Sequence, residues 1–168
     1  MDLISGNHDF TFYHEIGADI CKAIAKYRHD ITYHGQNKAT IYVGKNNNIP
    51  IKIQHPDKGS TDVTSTRIQK SIEKLDTKDN PKVVFQGHYH RYYNFTDRNM
   101  EGFLTPCFIG GSIFIDKCEL PNEIGGILYD MYVNDKAEVI YTEYEPIIFN
   151  KNDIDNESYK KIKKLVIK

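Results

Sequence analysis

Two short clusters constrain the fold of this chain more than any other feature: Gly6-Asn7-His8-Asp9 and, far along the sequence, Gly87-His88-Tyr89-His90. Each follows a short apolar run, Leu3-Ile4 in one case and Val83-Val84-Phe85 in the other, of the kind that reads as a buried strand. A third run, 49–54, leads straight into His55-Pro56. In sheet-based folds, loops at neighbouring strand ends converge whatever their separation in sequence. The pattern therefore predicts a sheet that gathers Asn, His and Asp side chains at its carboxyl edge.

The rest of the chain reads as mixed α and β. Ile16, Ile20, Ile24 and Tyr27 recur at helical spacing and predict a helix over 15–28. Residues 39–44 and 49–54 predict strands joined by an Asn-rich turn at 46–48. Ile68, Ile72 and Leu75 predict a second helix over 64–76, ended by Asn80-Pro81. Beyond His90 the pattern is mainly β, over 92–96, 103–109, 112–116, 125–133 and 137–144. Tyr159, Ile162, Leu165 and Val166 predict a C-terminal helix with lysines outside its apolar stripe. The expected organisation is one body over 1–150, then a polar connector and that helix over 151–168.

Composition removes several function classes. The 39% hydrophobic and 27% charged content fits a globular chain. A formal net charge of −1 provides no long-range field for nucleic acid, although a nucleic acid as substrate is not excluded by it. Cys21, Cys107 and Cys118 form no CxxC pair, so neither a disulfide framework nor a thiolate zinc site is indicated. No apolar run reaches the length of a membrane helix and no signal-peptide pattern is present. A cytoplasmic protein is the expectation.

The clusters themselves carry recognisable chemistry. Neutral imidazoles at His55, His88 and His90 suit borderline divalent metals, and the Asn7 oxygen completes a mixed N/O set favouring Mn, Fe or Zn. If 87–90 is extended, the two histidines of Gly-His-Tyr-His project to the same side. His8, next to Asp9, is placed as a general acid oriented by a carboxylate. His14, His29 and His34 read as surface residues near helix ends or in turns. Lys58, Arg67 and Arg91 read as solvated charge, and Tyr89, Tyr92 and Tyr93 as packing rather than base-stacking groups.

Taken in order, Gly6-Asn7-His8-Asp9, the strand-terminal His55 of Gln54-His55-Pro56, and Gly87-His88-Tyr89-His90 resemble the third, fourth and fifth motifs of the calcineurin-like metallophosphoesterase superfamily. The resemblance covers residues 2 to about 91. It implies an α/β fold, here an incomplete layered sandwich of two mixed β-sheets flanked by helices. It also implies that Asn7, His55 and His88 bind one metal, that His90 belongs to the other, and that His8 with Asp9 forms the acid dyad. The implied activity is hydrolysis of a phosphomonoester or phosphodiester with two divalent ions in the complete enzyme. The family's first two motifs, Asp-x-His and Gly-Asp-x-x-Asp, do not occur in these 168 residues. One ion or none is therefore expected in this chain, which reads as the C-terminal portion of a domain, impaired alone. A non-catalytic scaffold on the same fold and one half of a split enzyme are the alternatives. Partners are then a phosphate ester and either a complementary N-terminal fragment or a second copy, drawn by unpaired strand edges.

Overall fold

The computed structural model describes residues 1–57, 64–75, 80–97, 99–110, 122–136 and 138–149. The strand expected at 112–116 and the connector and helix expected at 151–168 lie outside them. An α/β architecture with mixed pairing forms. Its strands are β1 (Asp2–Ser5), β2 (Thr32–Gln36), β3 (Lys38–Val43), β4 (Ile49–Gln54), β5 (Val83–Gln86), β6 (Tyr93–Asp97), β7 (Met100–Leu104), β8 (Ile124–Val133) and β9 (Val139–Phe149). The helices are α1 (Asn7–Ile16), α2 (Ile20–Tyr27) and α3 (Thr64–Glu73).

The first helical region differs from the expected 15–28. Gly17 adopts φ 70 and its N–H closes α1 on the Tyr13 carbonyl at 2.9 Å. Asp19 then opens α2 by accepting the Lys22 N–H at 3.0 Å. A left-handed glycine followed by an N-cap side chain ends one helix and begins another, so the periodic isoleucines are divided between two. The 6–9 cluster is likewise the start of α1 rather than a loop. Half of a capping box holds it, with the Asp9 carboxylate accepting the Gly6 N–H at 2.8 Å.

A five-stranded sheet in the order β3-β4-β5-β7-β6 forms the centre. β4, β5 and β7 run parallel, with β3 and β6 antiparallel at its two edges. Alternation along the strands sends Val84 to one face and Phe85 to the other. On the first face α3 packs Ile68 and Ile72, both fully buried, against Val84, Tyr89, Met100 and Leu104. Burying a side chain of that size stabilises by about 1.5–3 kcal/mol. On the second face Phe85 and Phe103 meet Tyr129 of β8, with ring centroids 5.6 Å apart in each case. The antiparallel β8–β9 hairpin is thus a further layer, keyed down where Glu101 accepts hydrogen bonds from the Tyr129 and Thr142 hydroxyls at 2.6 and 2.8 Å.

β1 and β2 form a separate parallel pair. It is stitched to the main sheet at Asn37, whose backbone is left-handed at φ 64. The Asn37 N–H donates to the Ser5 carbonyl at 3.0 Å, and the Asn37 carbonyl accepts from the His55 N–H at 2.6 Å. The ladder continues with Gly87 N–H on the Gln54 carbonyl and Thr105 N–H on the Gln86 carbonyl. The carboxyl ends of β1, β4, β5 and β7 therefore stand in a row. Among the described residues no helix is long and apolar enough to cross a membrane.

Candidate functional site

That row of strand ends brings three of the expected groups together. Asn7 enters at the first turn of α1, directly after β1, and His55 leaves the end of β4. His88 follows β5 by two residues. Its ring meets that of His55 at a centroid distance of 5.2 Å, nearly perpendicular at 84°. Asn7 Oδ1 lies 3.4 Å from His88 Nδ1. The glycines make this approach feasible: a Cβ on Gly6 would stand 2.9 Å from His55 Nε2, and one on Gly87 3.1 Å from His55 Cδ2.

The 87–90 segment is bent, not extended. His88 and His90 have φ of 84 and 53, both in the left-handed region. The one-sided projection expected of an extended Gly-His-Tyr-His is therefore not what separates the two rings. Local strain of this kind costs on the order of 1–3 kcal/mol per residue and needs surrounding structure to hold it. Tyr89 between them is 4% exposed and joins the core under α3, which anchors the bend.

The Asn122 side chain, by hydrogen bonding, and the charge of His8 both act on the His90 ring. His8 is exposed and acts on His55 as well. Asp9 turns its carboxylate to the Gly6 N–H and also to the buried Cys21 thiol. Burial is the largest cause raising that thiol's pKa.

Burial also lowers the pKa of His55, assisted by the charges of His88 and His8 and opposed by Asp9. It lowers that of His90 too, opposed by the Asn122 bond. Both rings are thereby biased towards the neutral form, which is the form that ligates a metal.

His55 Nδ1 is buried with no hydrogen-bond partner among the described residues, an uncommon state for a polar atom. The 3.4 Å between Asn7 Oδ1 and His88 Nδ1 is long for a hydrogen bond. Two ligands of a tetrahedral ion, each at about 2.1 Å, are about 3.4 Å apart. Asn7, His55 and His88 could thus hold one ion. Among the described residues no three His, Cys, Asp or Glu side chains gather to hold a metal ion, so this trio reaches three donors only through the Asn7 amide oxygen. A cleft of about 290 Å³ opens beside His55, between Asn37, Gln54, Asp57, Ser71 and Gln86.

The remaining histidines lie elsewhere. His14 is on α1 against the edge of Phe10, and His29 is exposed in the turn after α2. His34 is a strand residue rather than a turn residue, 2.7 Å from Asp2 across the β1–β2 pair. Side chains of Lys58 and Arg67 lie outside the described residues. Asn37 and Asn122 are the participants that sequence reading missed, because asparagine in a connecting segment carries no periodic or motif signal.

No family model matches the sequence, and no curated protein matches it. Solved structures do. Wild-type Vps29 complexed with Zn2+ from Entamoeba histolytica is 13% identical over 71% of this chain, with a TM-score of 0.38. Vacuolar protein sorting 29 from Cryptosporidium parvum is 11% identical over 89% of this chain and 97% of its own, with a TM-score of 0.39. A Thermotoga maritima protein solved by NMR is 12% identical over 78% of this chain and 73% of its own, with a TM-score of 0.34. The match spans 65% of the Entamoeba chain, less than two thirds of it.

Proposed function

We propose that this chain is a metallophosphoesterase-type domain that holds one divalent ion through Asn7, His55 and His88 and presents it to a phosphate ester. The observation that carries the reading is the meeting of these three side chains at the strand ends, with Asn7 and His88 separated by 81 residues in sequence and 3.4 Å in space. A mixed N/O set of this kind suits Zn, Mn or Fe. Such an ion, when bound, polarises a phosphoryl oxygen and acidifies water. We assign His8 to protonation of the departing alkoxide, because it is exposed and within electrostatic reach of both His55 and His90. Asp9, bonded to the Gly6 N–H, holds the turn that carries His8. His90 is assigned to a second ion whose other ligands come from a complementary polypeptide.

Metal analysis after dialysis against Zn2+ or Mn2+ tests this directly. About one ion per chain is expected, with affinity falling at least about tenfold in His55→Ala and His88→Ala. A chain that takes up no ion, or takes it up equally well without those two histidines, sinks the reading. Turnover of a generic aryl phosphate by the chain alone should be at most a trace.

One observation favours a second reading, a non-catalytic scaffold: among the described residues no three His, Cys, Asp or Glu side chains form a ligand set for a metal ion. Adding a polypeptide that carries Asp-x-His and Gly-Asp-x-x-Asp separates the two. Metal-dependent turnover that disappears with His8→Ala supports a split enzyme. Complex formation without turnover supports the scaffold.

A further inference from the structure

Asn37 alone separates β2 from β3, at the point where the chain leaves the small parallel pair for the main sheet. Its left-handed φ of 64 is a conformation that asparagine adopts more readily than most residues bearing a Cβ. The bend turns its two main-chain groups to different strand ends. The N–H reaches the carbonyl of Ser5, two residues before Asn7, and the carbonyl takes the N–H of His55. Two members of the proposed ligand set are thus spaced by a single residue.

The side chain adds a third link, with Asn37 Nδ2 donating to the Asp57 carboxylate at 2.8 Å. His55 and Asp57 are therefore both tied to Asn37, and Pro56 between them has its φ fixed by its own ring. The backbone that bears His55 is left with little freedom. That matters because ligating histidines are ordinarily oriented through a hydrogen bond on the second ring nitrogen. His55 Nδ1 has no such partner among the described residues, and the ring lies against Gly6 and Gly87, which have no side chains to hold it. The aim of His55 then depends on the main chain that carries it.

We propose that Asn37 is a positioning residue for the metal-binding trio. Its main chain sets the distance between the ends of β1 and β4, and its amide, held on Asp57, fixes the turn that aims His55. The use in ligation rests on the assignment of Asn7, His55 and His88 to one ion. The pinning of His55 is a property of the metal-free chain.

Zinc competition titration and hydrogen exchange at the His55 amide, both on the full chain, test this. Asn37→Gly keeps access to the left-handed backbone and both main-chain bonds, and loses only the side-chain amide. Asp57→Ala removes the acceptor, whereas Asp57→Asn keeps an accepting oxygen without the charge. Asn37→Gly and Asp57→Ala should each weaken zinc binding about tenfold and speed exchange at the His55 N–H. The double variant should lose no more than either alone, since one bond is removed in all three. Asp57→Asn should behave nearly as wild type. Zinc affinity unchanged in Asn37→Gly and Asp57→Ala overturns the positioning role. Equal losses in Asp57→Asn and Asp57→Ala also overturn it, because the carboxylate charge would then be the cause. The exposed Asp57 decides the matter even if Asn37→Gly fails to fold. Failure of the one-ion reading looks different. A wild type that takes up no zinc, while Asp57→Ala still speeds exchange at His55, removes the ion and leaves the pinning standing; with exchange unchanged as well, both fall.

Discussion

His55 is seated between two glycines, and the tolerances there are small. A methyl group on Gly6 would meet three atoms of the ring at 2.9–3.0 Å, so the imidazole must move by a few tenths of an ångström to admit it. Gly6→Ala should therefore destabilise by about 1–3 kcal/mol and weaken zinc binding, read from urea midpoints and a competition titration. The metal-free protein should also lose stability on mild acidification. His55 and His90 bind protons less readily folded than unfolded, so the unfolded state takes up the excess as pH falls below about 6.5. Their contribution is fully present above that value and is lost as pH descends towards their depressed folded pKa values. The charges of His88, Asp9 and His8 act on His55, and that of His8 on His90. Urea midpoints at about pH 7.5 and 5.5 should differ in wild type, and the difference should shrink in a His55→Gln, His90→Gln double variant. No change in slope between the two proteins would refute the linkage.

Among the elements, β8–β9 shows how one residue type governs a whole hairpin. Gly125 pairs with Ile148, and a Cβ there would lie 1.9 Å from the Ile147 carbonyl oxygen. No rotamer relieves a clash with backbone, so Gly125→Ala should cost more than the roughly 1–3 kcal/mol of ordinary overpacking. The same change should loosen Tyr129 and Tyr144 from Phe103, which near-UV circular dichroism would register. Gly102 differs in what a Cβ would meet first: Ile72 Cδ1 at 2.6 Å and Ile68 Cγ1 at 3.1 Å, side-chain atoms of the core, ahead of the Phe95 carbonyl oxygen at 3.4 Å. Elements with strong periodicity were legible: β3, β4, β5 and α3 lie within a few residues of their expected positions. α1 was not, since none of its residues is buried and its aromatic residues follow no apolar stripe. β2 was missed because Thr32–Gln36 is polar and includes Gly35 at φ 97; its pairing with β1, not its sequence, makes it a strand.

At the scale of the molecule, one mixed sheet carries α3 on one face and a long hairpin on the other, with a small parallel pair joined at Asn37. Large apolar side chains remain outside these layers, among them Ile140 at 68%, Tyr141, Leu128 and Tyr132 on the hairpin and Ile16 and Tyr27 on the helices. Edge strands and exposed apolar side chains of this kind favour association. Sedimentation velocity should show concentration-dependent self-association that Ile140→Lys reduces, with stability changed by no more than about 0.5 kcal/mol. A monomer at all concentrations in both proteins would rule this out. The sequence by itself determined the candidate site side chains and the strands that deliver them, because Asn and His placed directly after buried apolar runs are a local signal. Only the tertiary structure decided which groups meet. Whether Asn7 faces His88, and which backbone bends into left-handed conformation, depend on contacts between segments far apart in the chain, and no local pattern encodes those.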